Sequence, residues 1–126
     1  MQRLSEINQI EIAPYFKLAE FACPCCQQVM LHPQLLKKLM ELRNMLQRPI
    51  YITSGYRCIN YNREVGGAQN SYHLIGLAAD IKVLGLSVLD LLDYVEMLNF
   101  TGIGLYEEKN FLHLDIRPTK PVRWRE

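Results

Sequence analysis

The chain has 126 residues, 49% of them hydrophobic, with 14 Lys and Arg against 13 Asp and Glu, a formal net charge of +1. That size suits one domain that buries a core without disulfides, and the near-neutral charge argues against nucleic acid or an anionic membrane as the main partner. No run approaches the roughly eighteen apolar residues of a membrane span, and Met1 to Lys17 lacks the basic start and unbroken apolar stretch of a secretory signal, so the chain is expected to be cytoplasmic as synthesised and to reach any target outside by phage-type or other release.

Residues 1–32 read as mixed: an irregular lead-in over Ile10 to Tyr15, a helical turn over Lys17 to Phe21, then the cysteine loop FACPCCQQ. From Pro33 to Leu46 the pattern is plainer. Leu35, Leu36, Leu39, Leu42, Met45 and Leu46 recur at helical spacing with charges between them, which predicts an amphipathic helix with proline in its opening turn. PIYIT at 49–53 reads as a strand, and the Gly- and Asn-rich SGYRCINYNREVGGAQN as a long functional loop with one helical turn, closing at Gly66 and Gly67. Beyond Gly76, LAADIKV has the apolar, β-branched character of a buried strand. Ser87 with Asp90 three positions on is a capping signature for a second helix, whose stripe is Val88, Leu91, Leu92, Val95 and Leu98 and whose end is expected near Asn99. GIGLYE and NFLHLDIR form a hairpin turning over Glu107 to Asn110, and the tail after Pro118 is broken by proline and basic. The sum is an α+β fold in a single domain over 1–126: a small, mostly antiparallel sheet with two main helices on one side.

Three side chains carry the chemistry. His73, Asp80 and His113 offer two imidazole nitrogens and a carboxylate oxygen, which would hold one zinc ion and leave a coordination position for water. A continuous helix would separate His73 from Asp80 by about 10 Å, so the chain must bend between them, and Gly76 stands midway. In NFLHLDIR, alternation puts Phe111, His113 and Asp115 on one strand face and Leu112, Leu114 and Ile116 on the other. His32, before the proline of a helix start, reads as an ordinary surface histidine. Cys23, Cys25, Cys26 and Cys58 admit a second, closed zinc site, one or two disulfides, or buried free thiols, the last being preferred; the loop is expected to pack against Arg57 and Cys58.

These fragments together resemble the zinc D-alanyl-D-alanine peptidases of the LAS metallopeptidase group. The resemblance rests on Ser-Gly-Tyr-Arg at 54–57, Tyr61-Asn62, Val65-Gly66-Gly67-Ala68, Ser71-x-His73-x-x-Gly76-x-Ala78-x-Asp80, Gly102-x-Gly104-x-Tyr106, Phe111-x-His113-x-Asp115-x-Arg117 and Trp124. Glu20-Phe21-x-Cys23 is similar to members from bacteria and their phages, so the likeness runs from about Phe16 to Trp124. It implies a hedgehog-like D,D-peptidase fold, zinc on His73, Asp80 and His113, and hydrolysis of peptide bonds in the peptidoglycan stem or cross-link, by a carboxypeptidase or an endopeptidase. It gives Arg57 the task of holding the polarised carbonyl or a substrate carboxylate, for which a planar fork of donors is suited, and makes Ser71 a substrate contact.

One departure stands out. Many members place an acidic or histidine base two or three residues before the last zinc ligand, where this chain has Phe111 and Asn110. The His-x-Asp form is similar to a branch with Asp after the ligand, so Asp115 is expected to serve as the base or to orient His113 through its other ring nitrogen, with Glu107 and Glu108 in reserve. A zinc-containing binding module that has lost turnover is the alternative, and a metal-free structural domain the third reading. The scissile bond stays open among D,D, L,D and L-alanyl-D-glutamate linkages, and no pattern specifies an oligomeric state.

Overall fold

The structure is a computed structural model describing residues 3–126. Its elements in chain order are α1 (Leu4–Ile7), β1 (Glu11–Ala13), β2 (Phe16–Lys17), a 3-10 turn (Leu18–Phe21), α2 (Pro33–Leu46), β3 (Tyr51–Ser54), α3 (Ile59–Glu64), a second 3-10 turn (Tyr72–Ile75), β4 (Ala78–Lys82), α4 (Val88–Glu96), β5 (Gly102–Tyr106), β6 (Phe111–Asp115) and β7 (Val122–Arg125). The last five strands other than β1 and β2 make one sheet in the order β3-β4-β6-β5-β7. Every pairing in it is antiparallel except β5 with β7, which is parallel.

The two long helices form where the sequence puts apolar residues on one helical face. Helix α2 starts with Pro33 at its first position, where a missing N–H costs nothing, and His32 caps it by accepting from the Gln34 N–H at 3.1 Å. It stops at Gln47, whose φ of 54° is left-handed. Ser87 caps α4 by accepting from the Asp90 N–H at 3.1 Å. Leu35, Leu39 and Leu42 of α2, with Val88, Leu91 and Val95 of α4, bury themselves against Ala79, Ile81, Ile103, Leu105, Leu112 and Leu114 of the sheet. Each fully buried large aliphatic side chain contributes about 1.5–3 kcal/mol, so this layer is the main cohesive element.

Because strand residues alternate in direction, the same strands present Asp80, Gly102, Gly104, His113 and Asp115 on the opposite face. One face of the sheet is thus a core and the other a site. The α+β prediction, with two main helices on one side, agrees with this arrangement.

Three expectations are corrected. Ile10 to Tyr15 is not irregular: Glu11–Ala13 pairs antiparallel with Phe16–Lys17 around Tyr15, whose φ is 73°. Helix α4 ends at Glu96, three residues before Asn99, because the Met97 and Leu98 N–H groups bond to Tyr94 and Val95 in tighter turns and Asn99 goes left-handed. The basic tail is a strand, β7, laid parallel along the free edge of β5 from Gly102↔Val122 to Leu105↔Arg125. Single-stranded periodicity could not reveal it, since Val122, Arg123 and Arg125 remain exposed and only Trp124 is half-buried. Among the described residues no helix is long and apolar enough to cross a membrane.

Candidate metal centre

His73, Asp80 and His113 come together, each buried, with one ligand atom apiece within 4.8 Å of the others. Asp80 and His113 are direct cross-strand partners of β4 and β6. His73 arrives from the second 3-10 turn, which Ser71 opens by accepting from the His73 N–H at 3.2 Å and which Gly76 closes at a φ of 75°. A side chain at Gly76 would be strained by that backbone and would meet the Met30 carbonyl at 2.6 Å, so the bend between His73 and Asp80 depends on glycine.

The hydrogen bonds fix which nitrogen each ring turns inward. His73 Nδ1 lies 2.7 Å from the Gly55 carbonyl oxygen, which can only accept, so Nδ1 carries the proton and Nε2 is left facing Asp80 Oδ1 at 3.1 Å. On His113 the roles are exchanged: Nε2 lies 2.7 Å from Asp115 Oδ2, and Nδ1 faces the same Asp80 Oδ1 at 3.1 Å. With both rings neutral, three lone pairs point at one another. Such a set needs a cation, either protons on the rings or a metal ion among them. Donors of a tetrahedral zinc site with bonds of about 2.0–2.1 Å stand about 3.3 Å apart, so the 3.1 Å separations suit the ion with little adjustment. The outward nitrogens already carry the hydrogen bonds that orient metal-binding histidines.

Charge is managed around this centre. Burial works against an ionised Asp80, but hydrogen bonds from His113 and His73 outweigh it and hold the carboxyl well below its usual range. Burial likewise disfavours a charged His113, yet Asp115 and Asp80 raise its pKa. Arg57 reaches Asp80 Oδ2 with Nη2 at 3.1 Å, Ser54 Oγ with Nε at 3.0 Å and Asn62 Oδ1 with Nη1 at 3.3 Å. It therefore pairs with the outer oxygen of a ligand while standing at the edge of the site.

Asp115 is completely buried, 0% exposed, which decides against free access to water. Arg117 clamps it through Nε to Oδ1 at 2.9 Å and Nη2 to Oδ2 at 2.7 Å, and the Arg117 N–H adds a third bond at 3.1 Å. Both oxygens are engaged and one of them faces the outer nitrogen of His113. Of the two roles expected for Asp115, this geometry favours orientation of His113 over that of a base. The Arg117 guanidinium lies over the Tyr72 ring at 4.6 Å and faces Trp124 at 5.3 Å, while the Trp124 ring packs 5.0 Å from His113. Trp124 Nε1 donates to the Tyr106 hydroxyl at 3.0 Å.

Two glycines make room for this shell. A Cβ at Gly102 would sit 2.3 Å from the Asp115 carboxylate oxygens, and one at Gly104 would sit 2.4 Å from the Trp124 ring. The Gly-x-Gly spacing in an otherwise apolar strand was the sequence's one signal that something large stands over that face. Roles for Arg117 and the tail tryptophan were not deduced from it.

His73, Asp80 and His113 all open on a cavity of about 670 Å³, with Arg57 and Ser71 on its wall. Glu108 and Lys109, on the turn after β5, line it too. Glu107 does not: it pairs with Arg125 on the sheet edge. His32 is an exposed helix cap away from the site. The four cysteines are free thiols, and only Cys23 is buried, so buried thiols describe one of them rather than all; the loop does pack on Cys58, as expected.

Known proteins share much of this sequence. The sequence profile of the peptidase M15 family matches residues 14–115. The chain is similar to the peptidoglycan L,D-endopeptidase MepK of Escherichia coli, at 32% identity over 95 residues, 70% of this chain and 52% of the relative. It is also similar to the probable peptidoglycan L,D-endopeptidase MepK of Haemophilus influenzae, at 32% over 102 residues, 74% and 53% of the two chains. A shorter stretch of 45 residues, 35% of this chain and 18% of the other, is 42% identical to the zinc D-Ala-D-Ala carboxypeptidase of Streptomyces albus G. The chain spans about half the length of the MepK relatives it matches.

Proposed function

The chain belongs to the peptidase M15 family, and from that premise we propose that it is a zinc-dependent peptidase that hydrolyses peptide bonds in bacterial peptidoglycan. The observation that carries this reading is the convergence of His73 Nε2 and His113 Nδ1 on Asp80 Oδ1, each at 3.1 Å, with both outward nitrogens tied back. A zinc ion held there would acidify a water molecule towards neutrality and polarise the carbonyl it attacks.

The chain's own residues supply the rest. Arg57 stabilises negative charge growing on the carbonyl oxygen, using N–H groups beyond those given to Ser54, Asn62 and Asp80. Ser71 and the Val65–Ala68 wall of the cavity hold the peptide against the ligands. Glu108 Oε accepts the water's proton and returns it to the leaving amine, since Asp115 is buried and fully bonded while Glu108 lines the cavity. Asp115 and Arg117 keep His113 in the tautomer that leaves Nδ1 free.

The cut falls within a peptide rather than at its carboxyl end. Arg117 is matched by Asp115 and Arg57 shares its charge with Asp80, so the donors Arg57 keeps free serve the reacting carbonyl and neither arginine is set aside for a terminal carboxylate. Lys109, the remaining cavity cation, sits out on an exposed turn. The names of the MepK relatives point the same way, to an endopeptidase.

Digestion of purified sacculi with zinc-loaded protein, read by mass spectrometry of the released muropeptides, tests this. The expected products are fragments cut inside a stem or cross-link, absent with His113→Ala. Free D-alanine as the main product would overturn the endopeptidase assignment. Zinc-loaded protein that binds sacculi and releases nothing would instead identify a binding module that has lost turnover.

A further inference from the structure

The cysteine cluster stands apart from the proposed catalytic machinery. Cys23 and Cys26 belong to one tight turn, closed by the Gln27 N–H donating to the Cys23 carbonyl at 2.8 Å and by the Cys23 N–H donating to the Gln28 carbonyl at 2.8 Å. Gln27 takes a left-handed φ of 63° to complete it. Cys58 comes from far along the chain, yet its N–H donates to Cys23 Sγ at 3.5 Å, and its own sulfur accepts from the Tyr61 N–H at 3.4 Å. The sulfurs of Cys23, Cys26 and Cys58 all lie within 4.8 Å of one another. Cys25 is exposed and its sulfur is not one of the converging set.

We propose that Cys23, Cys26 and Cys58 bind a second, structural zinc ion, leaving the fourth position to a donor from outside this trio. Sulfurs around tetrahedral zinc with bonds of about 2.3 Å are about 3.8 Å apart, so the cluster needs to contract by no more than about 1 Å. The Cys-x-x-Cys turn with a distant third cysteine supplies soft donors in the spacing of closed zinc sites. A disulfide would join two of the three converging sulfurs and leave the third without a partner, whereas one ion uses all three.

The ion would tie the amino-terminal loop to the segment that serves the other centre. Residues 54–58 carry Arg57 and the Gly55 carbonyl that orients His73, and the Tyr56 N–H already donates to the Phe21 carbonyl at 2.8 Å. The inference does not rest on the peptidase reading.

Zinc content of the purified full chain, by plasma mass spectrometry, is the test. Two ions per chain are expected, one remaining in His113→Ala and one in Cys58→Ser. Because Cys58 is also packed, the intact cysteine set is probed in the His113→Ala protein: cobalt(II) should give thiolate charge-transfer absorption in the near ultraviolet, and bound zinc should shield the thiols from maleimide until a chelator is added. One ion in the parent and none in His113→Ala would overturn the proposal, as would an intact mass lower by two hydrogens, the mark of a disulfide. One ion in both proteins would leave this site standing and count against the histidine centre instead.

Discussion

At the scale of single residues, the arrangement turns on which atom of each group is already spoken for. His113 turns Nδ1 inward because Asp115 takes Nε2, and Asp115 is available for that because Arg117 balances its charge. Replacing Asp115 by Asn keeps the shape and removes the charge. Such second-layer partners are worth about 10–100-fold in metal affinity, so Asp115→Asn should weaken zinc by that factor in chelator competition, with turnover recovering at saturating zinc. Unchanged affinity with lost turnover would return Asp115 to the role of base. Glu108→Gln makes the complementary case: zinc affinity should hold while kcat falls about 10²–10⁴-fold.

At the scale of elements, strand β5 shows how a sheet face is emptied to seat a site. Its Ile103 and Leu105 fill the core, while Gly102 and Gly104 leave space over Asp115 and Trp124. Gly102→Ala should destabilise the fold by about 1–3 kcal/mol in denaturant titration and weaken zinc at the same time, because the new methyl displaces the Asp115 carboxylate. Ile103→Val, on the opposite face, should cost about 0.5–1.5 kcal/mol and leave zinc affinity alone. Equal effects of the two on zinc would show that the seat is not specific.

The same strand marks what the sequence made legible. Alternation in NFLHLDIR separated the face of Phe111, His113 and Asp115 from that of Leu112 and Leu114, and the structure has that division. Helices α2 and α4 were readable from apolar stripes and the Ser87 cap, which are local features. Strand β7 was not, because its hold on the sheet is backbone pairing to β5, and its exposed side chains leave no period to read. The buried state of Asp115 was equally hidden, since it depends on Arg117 folding back and on Trp124 arriving from that unread strand.

At the scale of the whole molecule, a helical layer on one side of the sheet holds rigid a charged centre on the other. Without metal, that centre makes stability depend on pH in a definite sense. The raised pKa of His113 adds stability that is complete below its unfolded value of about 6.5 and is lost as pH rises through the folded value. The depressed pKa values of Asp80 and Asp115 add stability above about 3.9 that is lost as pH falls through their folded values. Thermal melts of the zinc-stripped protein should therefore peak between about pH 4 and 6.5, and added zinc, which needs neutral imidazoles, should move the optimum upward. A stripped protein equally stable at pH 5 and pH 8 would speak against the charged network.

The most direct examination of the account is a crystal grown with zinc and recorded at the zinc absorption edge. An anomalous peak bonded to His73 Nε2, Asp80 and His113 Nδ1, with Asp115 still on Nε2 of the last, is the predicted result. Zinc-replete crystals in which the two imidazoles are protonated around Asp80, with no peak between them, would contradict it.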